Sequence, residues 1–359
     1  MDLSGIVRLS NTYGKDPELV LAGGGNTSVK DAGVLYIKCS GTELKTIDKN
    51  GFVPVNRAAL DKTLTKNYPA DDSGREAEFL KDVMASRTIP GETRRPSVEA
   101  LLHNLFPQRY VVHLHPALVN GLTCGKHGRS RMELLFGESA VWIPATRPGL
   151  MLGKLCHKVM SEHRAKTGED ARIVFLENHG IFIAADTEKE IATILEQAMV
   201  TLERALSTHP QQNYTQTADP AIIEELRRRT GASHVVFRAS PQILEFLQDR
   251  ETARDLMLPF TPDQIVYCGS QPVYVKEATQ IEPADTALKE KIIMLENVGV
   301  FSLGQTEKEA KTSALIFLDA VKIAIYAKSF GGAQPMTADL IQFIVSWEAE
   351  SYRQKESKK

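Results

Sequence analysis

Several things are scarce in this 359-residue sequence, and each scarcity removes a class of answer. Only four cysteines occur (Cys39, Cys124, Cys156, Cys268), far apart and without a CxxC pair, which excludes a disulfide framework and a cysteine-ligated zinc ribbon. Charge of one sign is not in excess: 43 Lys+Arg face 45 Asp+Glu, a net charge of −2, so no nucleic-acid partner is expected. No apolar run approaches the roughly 18 residues needed to span a bilayer, and no membrane partner is expected either. The opening Met1-Asp2-Leu3-Ser4-Gly5 lacks the basic and apolar stretches of a secretory signal. The expectation is a reduced, cytoplasmic protein. At about 150 residues per domain, the length predicts two domains.

What the sequence does contain is an internal repeat. Ile173–Thr193 (IVFLENHGIFIAADTEKEIAT) and Ile292–Thr312 (IIMLENVGVFSLGQTEKEAKT) align without gaps and share 11 of 21 residues. Each copy reads as an apolar strand, a Glu-Asn-x-Gly turn, a second strand and a helix opened by a capping box, Thr187 with Glu190 and Thr306 with Glu309. The polar stretch STHPQQNYTQTADP, 207–220, separates the halves as a linker. Helical patterns fall at 76–87, 97–106, 148–166, 188–206 and 221–229, and strands at 34–38, 110–115, 173–176, 234–238 and 264–267, with a polar helix ending in Lys-Glu-Ser-Lys-Lys at the C-terminus. Strands and helices interleave irregularly, which favours an α/β sandwich with a largely antiparallel or mixed sheet over a doubly wound parallel one.

The segment Tyr110-Val-Val-His-Leu-His-Pro116 carries the strongest chemical signal. A period of two puts His113 and His115 on one face of a strand, with Cα atoms about 7 Å apart, so that both imidazoles can reach one metal ion. His179 sits in the turn after a buried strand, where sites are built. The second copy of the repeat has Val298 there, so the turn itself does not require histidine. Glu99 falls in the first turn of a helix for which Ser97 is the expected N-cap, and is a candidate metal-adjacent base. His103 shares the face of Glu99 and is expected to be a packed or hydrogen-bonded residue outside the site. The loop Leu21-Ala-Gly-Gly-Gly-Asn-Thr-Ser28 and the turn Cys39-Ser-Gly-Thr42 offer backbone and hydroxyl donors to an anion. Neither matches the GxGxxG or GxxxxGK[ST] spacing, so dinucleotide and P-loop readings fail.

Taken in order, Gly-Asn-x-Ser, Ser-Gly, Pro-Ser-x-Glu, His-x-His-Pro and Asn-His-Gly resemble the class II aldolase/adducin family over residues 1–206. The whole chain looks like the aldolase part of bifunctional rhamnulose-1-phosphate aldolase/alcohol dehydrogenases, without the dehydrogenase domain that follows there. The resemblance implies an α/β/α sandwich, with a catalytic domain at 1–209 and a smaller degenerate copy at 219–359 that lacks the metal histidine. It implies zinc on His113, His115 and His179, Glu99 as acid/base, and substrate phosphate on Gly25, Asn26, Ser40, Gly41 and Ser97. Three imidazoles and a carboxylate suit Zn²⁺, with Mn²⁺, Fe²⁺ or Co²⁺ as alternatives. The implied reaction cleaves a ketose 1-phosphate to dihydroxyacetone phosphate and an aldehyde. The implied partners are a small sugar phosphate and further copies of the chain in a homo-oligomer. Val98 departs from the two consecutive serines of some relatives and removes one phosphate donor. A sugar-phosphate 4-epimerase and a non-catalytic adducin-like module share the resemblance; Glu99 favours aldolase over epimerases, which tend to carry Asp there.

Overall fold

The computed structural model describes residues 1–211, 213–282 and 290–347. They fall into two compact units. One takes in Met1–Val119 and Arg129–Arg204 together with Trp347, the other Asn120–Gly128 and Ala205–Ser346. Asn120–Gly128 belongs to the second unit because its backbone is held there: Cys124 C=O accepts from Gln334 N–H (2.7 Å), and Lys126 N–H donates to Gly332 C=O (3.0 Å).

The first unit is built on strands β1 (Asn26–Lys30), β2 (Val34–Lys38), β3 (Phe52–Asn56), β4 (Tyr110–Leu114), β5 (Val141–Ile143), β6 (Ile173–Leu176) and β7 (Gly180–Ala185). Their order across the sheet is β3-β2-β1-β4-β7-β6-β5. Every neighbouring pair is antiparallel except β5 with β6. On one face lie the helices Ala100–Leu105 and Leu150–Thr167, whose Leu102, Leu152 and Cys156 bury against Val111, Val174, Phe182 and Ala184. Fully burying each such large side chain is worth about 1.5–3 kcal/mol. Helices Ser4–Gly14 and Glu188–Arg204 cover the other face, where Ser10 and Thr27 hydroxyls meet at 2.6 Å. The mixed sheet between helical layers is the α/β/α arrangement expected.

Alternation along β1 sends Asn26, Ser28 and Lys30 to the face of the helix Ala100–Leu105. Lys30 is almost wholly buried, and its Nζ donates to the carbonyls of His103 (2.6 Å) and Phe106 (2.7 Å). These are carbonyls at the helix C-terminus that have no partner within the helix. A lysine on the sheet thereby does the work of a C-cap.

The second unit holds β8 (His234–Arg238), β9 (Val273–Val275), β10 (Ile292–Leu295) and β11 (Gly299–Gly304) in the order β8-β11-β10-β9. This reproduces the β4-β7-β6-β5 half of the larger sheet, including the parallel pair: Val141 is opposite Val174 as Val273 is opposite Ile293. The repeat therefore extends to strands beyond the 21 aligned residues, where Val111-Val112 matches Val235-Val236 and Val141 matches Val273. Both turns place asparagine in the left-handed region (Asn178 φ 57°, Asn297 φ 55°), with His179 N–H on Leu176 C=O and Val298 N–H on Leu295 C=O, each at 3.1 Å. Asparagine tolerates that conformation better than other residues with a Cβ, which accounts for its presence in both copies. In each copy a capping threonine opens the next helix, Thr187 for Glu188–Arg204 and Thr306 for Glu307–Ala327.

Some local expectations are corrected. Residues 264–267 lie in a buried helix, Pro262–Cys268, not a strand. Pro262 fits a first helical turn, and four consecutive residues carry no period that separates strand from helix. The helix expected from Ser97 begins at Ala100, with Glu99 rather than Ser97 at the N-cap position. The stretch 207–220 is more than a linker, since Thr215 and Ala239 exchange backbone hydrogen bonds of 2.8 and 3.1 Å. The polar helix expected at the C-terminus lies outside the described residues. No described helix is long and apolar enough to cross a membrane.

The Lys30 contact generates a stability prediction. Lys30→Met fills the same space but strands two buried carbonyls, so urea or thermal unfolding is expected to show a loss of about 3 kcal/mol. A variant as stable as the parent would show that the contact contributes nothing.

Candidate metal centre

Register brings the three histidines together. His113 lies on β4 opposite Phe182 of β7, and His115 follows just beyond the strand end. His179 occupies the β6–β7 turn, where the Asn178 conformation turns the chain back. Gly180 permits the approach: a Cβ there would sit 2.4 Å from Leu114 C=O and 2.9 Å from the His115 ring. Each histidine offers a ring nitrogen, and the three lie within 4.8 Å of one another. This is the one such group of metal-ligating side chains among the described residues.

The His113 ring is fully buried and stacks on Phe182 at 4.1 Å and 15°. Its Nδ1 is 3.0 Å from Ile181 C=O. A carbonyl can only accept, so Nδ1 carries the hydrogen and the Nε2 lone pair is left for the site. Burial pushes the His113 pKa well below its ordinary value and keeps the ring neutral at pH 7. Nε2 lies 2.9 Å from His115 Nε2.

Glu99 closes the group. Its Oε1 is 3.4 Å from His113 Nε2 and 3.7 Å from His179 Nε2, is buried, and accepts no hydrogen bond. Its Oε2 accepts from Asn26 Nδ2 at 2.5 Å. Burial works against the charge of this carboxyl; positive charge at the His113 and His179 positions, with the Asn26 amide, outweighs it and holds the pKa at about 2, a charge that neutral rings do not themselves supply. An unpartnered carboxylate oxygen facing imidazole lone pairs is repulsive unless a positive charge sits among them. The donor set, three nitrogens and an oxygen, is one that divalent zinc accepts. The residues present therefore fit a divalent metal ion.

Two of the expected anion-binding residues, Ser40 and Ser97, lie on segments that meet. Residues 38–40 and 95–97 pair through Ser40 N–H to Arg95 C=O and Ser97 N–H to Lys38 C=O, each 2.9 Å. Ser40 and Ser97 thus flank the isolated antiparallel bridge between Cys39 and Pro96, with Gly41 in the following turn at φ 85°. Their two amide hydrogens are spent on this pairing, which leaves the hydroxyls as the donors. The Ser97 hydroxyl accepts from Glu99 N–H at 3.3 Å. Gly25, at φ 62°, brings the glycine-rich loop against His113 C=O, where a Cβ would lie at 2.8 Å. The Asn26 side chain faces Glu99 and His103, which leaves its second amide hydrogen as the side-chain donor for a phosphate. His103 stays out of the metal cluster, with its ring on Asn26 Oδ1 and, at 2.7 Å, on Ser28 Oγ. Burial drops its pKa to about 3 and keeps it neutral.

In the second unit, strand register places Phe237 where His113 stands, since each faces the equivalent phenylalanine (Phe301, Phe182) across the same strand pair. Ala239 and Val298 take the places of His115 and His179. All three are apolar, and Phe237 packs on Phe301 at 4.8 Å.

Comparison with known proteins identifies a family for the first part of the chain. Residues 6–208 match the sequence profile of the class II aldolase and adducin N-terminal domain. An uncharacterized oxidoreductase, YuxG, of Bacillus subtilis (strain 168) is 26% identical over 217 residues, which covers 57% of this chain and 30% of that protein's length. Among solved structures, the N-terminal class II aldolase domain of a conserved protein from Thermoplasma acidophilum is 28% identical, covering 57% of this chain and 93% of that one, with a TM-score of 0.48. The L-fuculose-1-phosphate aldolase of Thermus thermophilus is 15% identical over 56% of this chain and 94% of that one, with a TM-score of 0.36. With more than half of its length matched by the profile, the chain belongs to the class II aldolase and adducin N-terminal domain family.

Proposed function

We propose that the first unit is a metal-dependent aldolase that reversibly cleaves a ketose 1-phosphate, of the rhamnulose-1-phosphate type, to dihydroxyacetone phosphate and an aldehyde. The observation that carries this reading is the Glu99 Oε1 atom, buried, without a hydrogen bond and 3.4 Å from His113 Nε2. A structural metal site is closed by its protein ligands, whereas catalytic sites keep positions open to substrate. Three neutral imidazoles leave a bound cation its full double charge.

His113, His115 and His179 would hold zinc, and a cation there supplies Lewis-acid stabilisation of the negative charge that develops on the ketose oxygens as the C3–C4 bond breaks. In cleavage Glu99 takes the proton of the C4 hydroxyl, the aldehyde leaves, and the bonding pair remains on the dihydroxyacetone phosphate fragment at C3. Glu99 Oε1 is the atom positioned to move the proton that C3 then takes up. Its partner Oε2 is held by Asn26 and does not turn away. The Ser40 and Ser97 hydroxyls, with the Gly41 turn, supply donors to the phosphate. The second unit, with Phe237, Ala239 and Val298 at the ligand positions, is read as a non-catalytic copy in which apolar packing has replaced the metal.

Two measurements test this. Release of dihydroxyacetone phosphate from a panel of ketose 1-phosphates is expected for the parent protein, and Glu99→Gln is expected to lower kcat by about 100-fold or more. Full activity in that variant, or no cleavage of any panel member by the metal-loaded parent, would contradict the proposal. For the phosphate donors, Ser40→Ala is expected to raise KM for the phosphorylated ketose about tenfold, the value of one hydrogen bond to a charged group. KM for the unphosphorylated sugar should not move; equal changes for both would place the phosphate elsewhere.

A further inference from the structure

Among the buried groups that the proposed mechanism does not use, His103 lies nearest to Glu99 in the hydrogen-bond series. His103 is inaccessible to solvent, lies edge-on to Phe182 at 5.2 Å, and has both ring nitrogens in hydrogen bonds. The polarity of those bonds can be read outward from Glu99. A carboxylate oxygen accepts only, so the Asn26 atom 2.5 Å from Oε2 is the amide nitrogen. The Asn26 carbonyl oxygen therefore faces His103 Nε2 and can only accept, which requires the hydrogen to be on Nε2. The neutral ring then takes the Ser28 hydroxyl hydrogen at Nδ1. Every hydrogen in the series Ser28, His103, Asn26 points toward Glu99 Oε2.

We infer that His103 is a positioning residue for Glu99: by donating from Nε2 it fixes the orientation of the Asn26 amide, which tethers Oε2 and leaves Oε1 aimed at the metal histidines. With the histidine hydrogen absent, the Asn26 amide loses the partner that tells its oxygen from its nitrogen. Rotated by half a turn, it would set carbonyl oxygen against carboxylate oxygen, and Glu99 would swing away. The series is anchored at both ends. Ser28 and Lys30 lie on the same face of β1 as Asn26, and Lys30 Nζ holds the main chain at His103 itself. The ring thus has a fixed height over the strand as well as a fixed hydrogen.

This inference rests on Glu99 being the proton-transfer group, and the test separates the two claims. In His103→Met the donor is gone and the volume is kept; in His103→Gln an N–H stands near the place of Nε2. With metal bound, His103→Met is expected to lower kcat at least tenfold with KM for the ketose phosphate within about twofold of the parent, while His103→Gln recovers to within about threefold. Crystal structures of the metal-loaded variants are expected to show Oε1 turned away from His113 and His179 in the methionine variant and restored in the glutamine variant. Should the methionine variant fail to fold, Ser28→Ala, which only frees the imidazole to change tautomer, is expected to lower kcat about threefold or more at constant KM. Glu99 unmoved in His103→Met, or glutamine and methionine equally impaired, would overturn the inference. If the parent cleaves no ketose phosphate, the aldolase reading fails, and the position of Glu99 in the two crystal structures still decides the role of His103.

Discussion

The geometry of this site depends on a buried carboxylate held by one oxygen. Glu99 sits at the entry of a short helix, and a side chain there would ordinarily choose among several rotamers. Asn26 reduces that choice to one by taking Oε2, and the remaining oxygen is left facing imidazole nitrogens at 3.4 and 3.7 Å. Removing such a charge from water costs several kcal/mol unless it is compensated. Asn26 compensates part, and a divalent cation among the histidines would compensate the rest. The site is thus left one positive charge short of compensation, with the sheet and the β1-facing polar series holding the carboxylate in place.

The internal repeat separates what the backbone needs from what the chemistry needs. Both copies keep the strand order, the parallel edge pair, the left-handed asparagine and the capped helix. They differ where side chains point at the site: His113, His115 and His179 in one, Phe237, Ala239 and Val298 in the other. The turn folds equally well around histidine or valine, so the histidine answers to something other than folding. Among the described residues, the second sheet has no counterpart of β1, β2 and β3, and so none of the strand that carries Asn26 or the loop that carries Gly25. A site of this kind cannot be restored there by three substitutions.

Much of this is legible in the sequence. The period of two along 110–115 puts His113 and His115 on one face, and the internal comparison singles out His179, because both are local patterns. The antiparallel setting, the strands around the repeat and the residue types of the anion loops are legible for the same reason. What local pattern does not carry is which elements meet. A place in a glycine-rich loop points Asn26 toward phosphate, yet its partners are 73 and 77 residues away. Helical spacing alone leaves His103 outside the site, although the alternation of polar residues Asn26, Ser28 and Lys30 on one strand hints that something polar must lie above them. The helix at 262–268 escapes pattern reading because a short apolar run looks alike in a strand and in a buried helix. The pairing of 38–40 with 95–97 likewise becomes visible only in the fold.

We propose that three histidines and Glu99 bind one divalent ion in the first unit and that the second unit binds none. This is tested most directly by metal content, measured by mass spectrometry on protein purified without chelator or histidine tag, beside His179→Val, the residue the second copy carries. The account predicts about one equivalent of zinc per chain in the parent and loss of most of it in the variant. Equal metal in both, or none in either after equilibration with zinc, would contradict it.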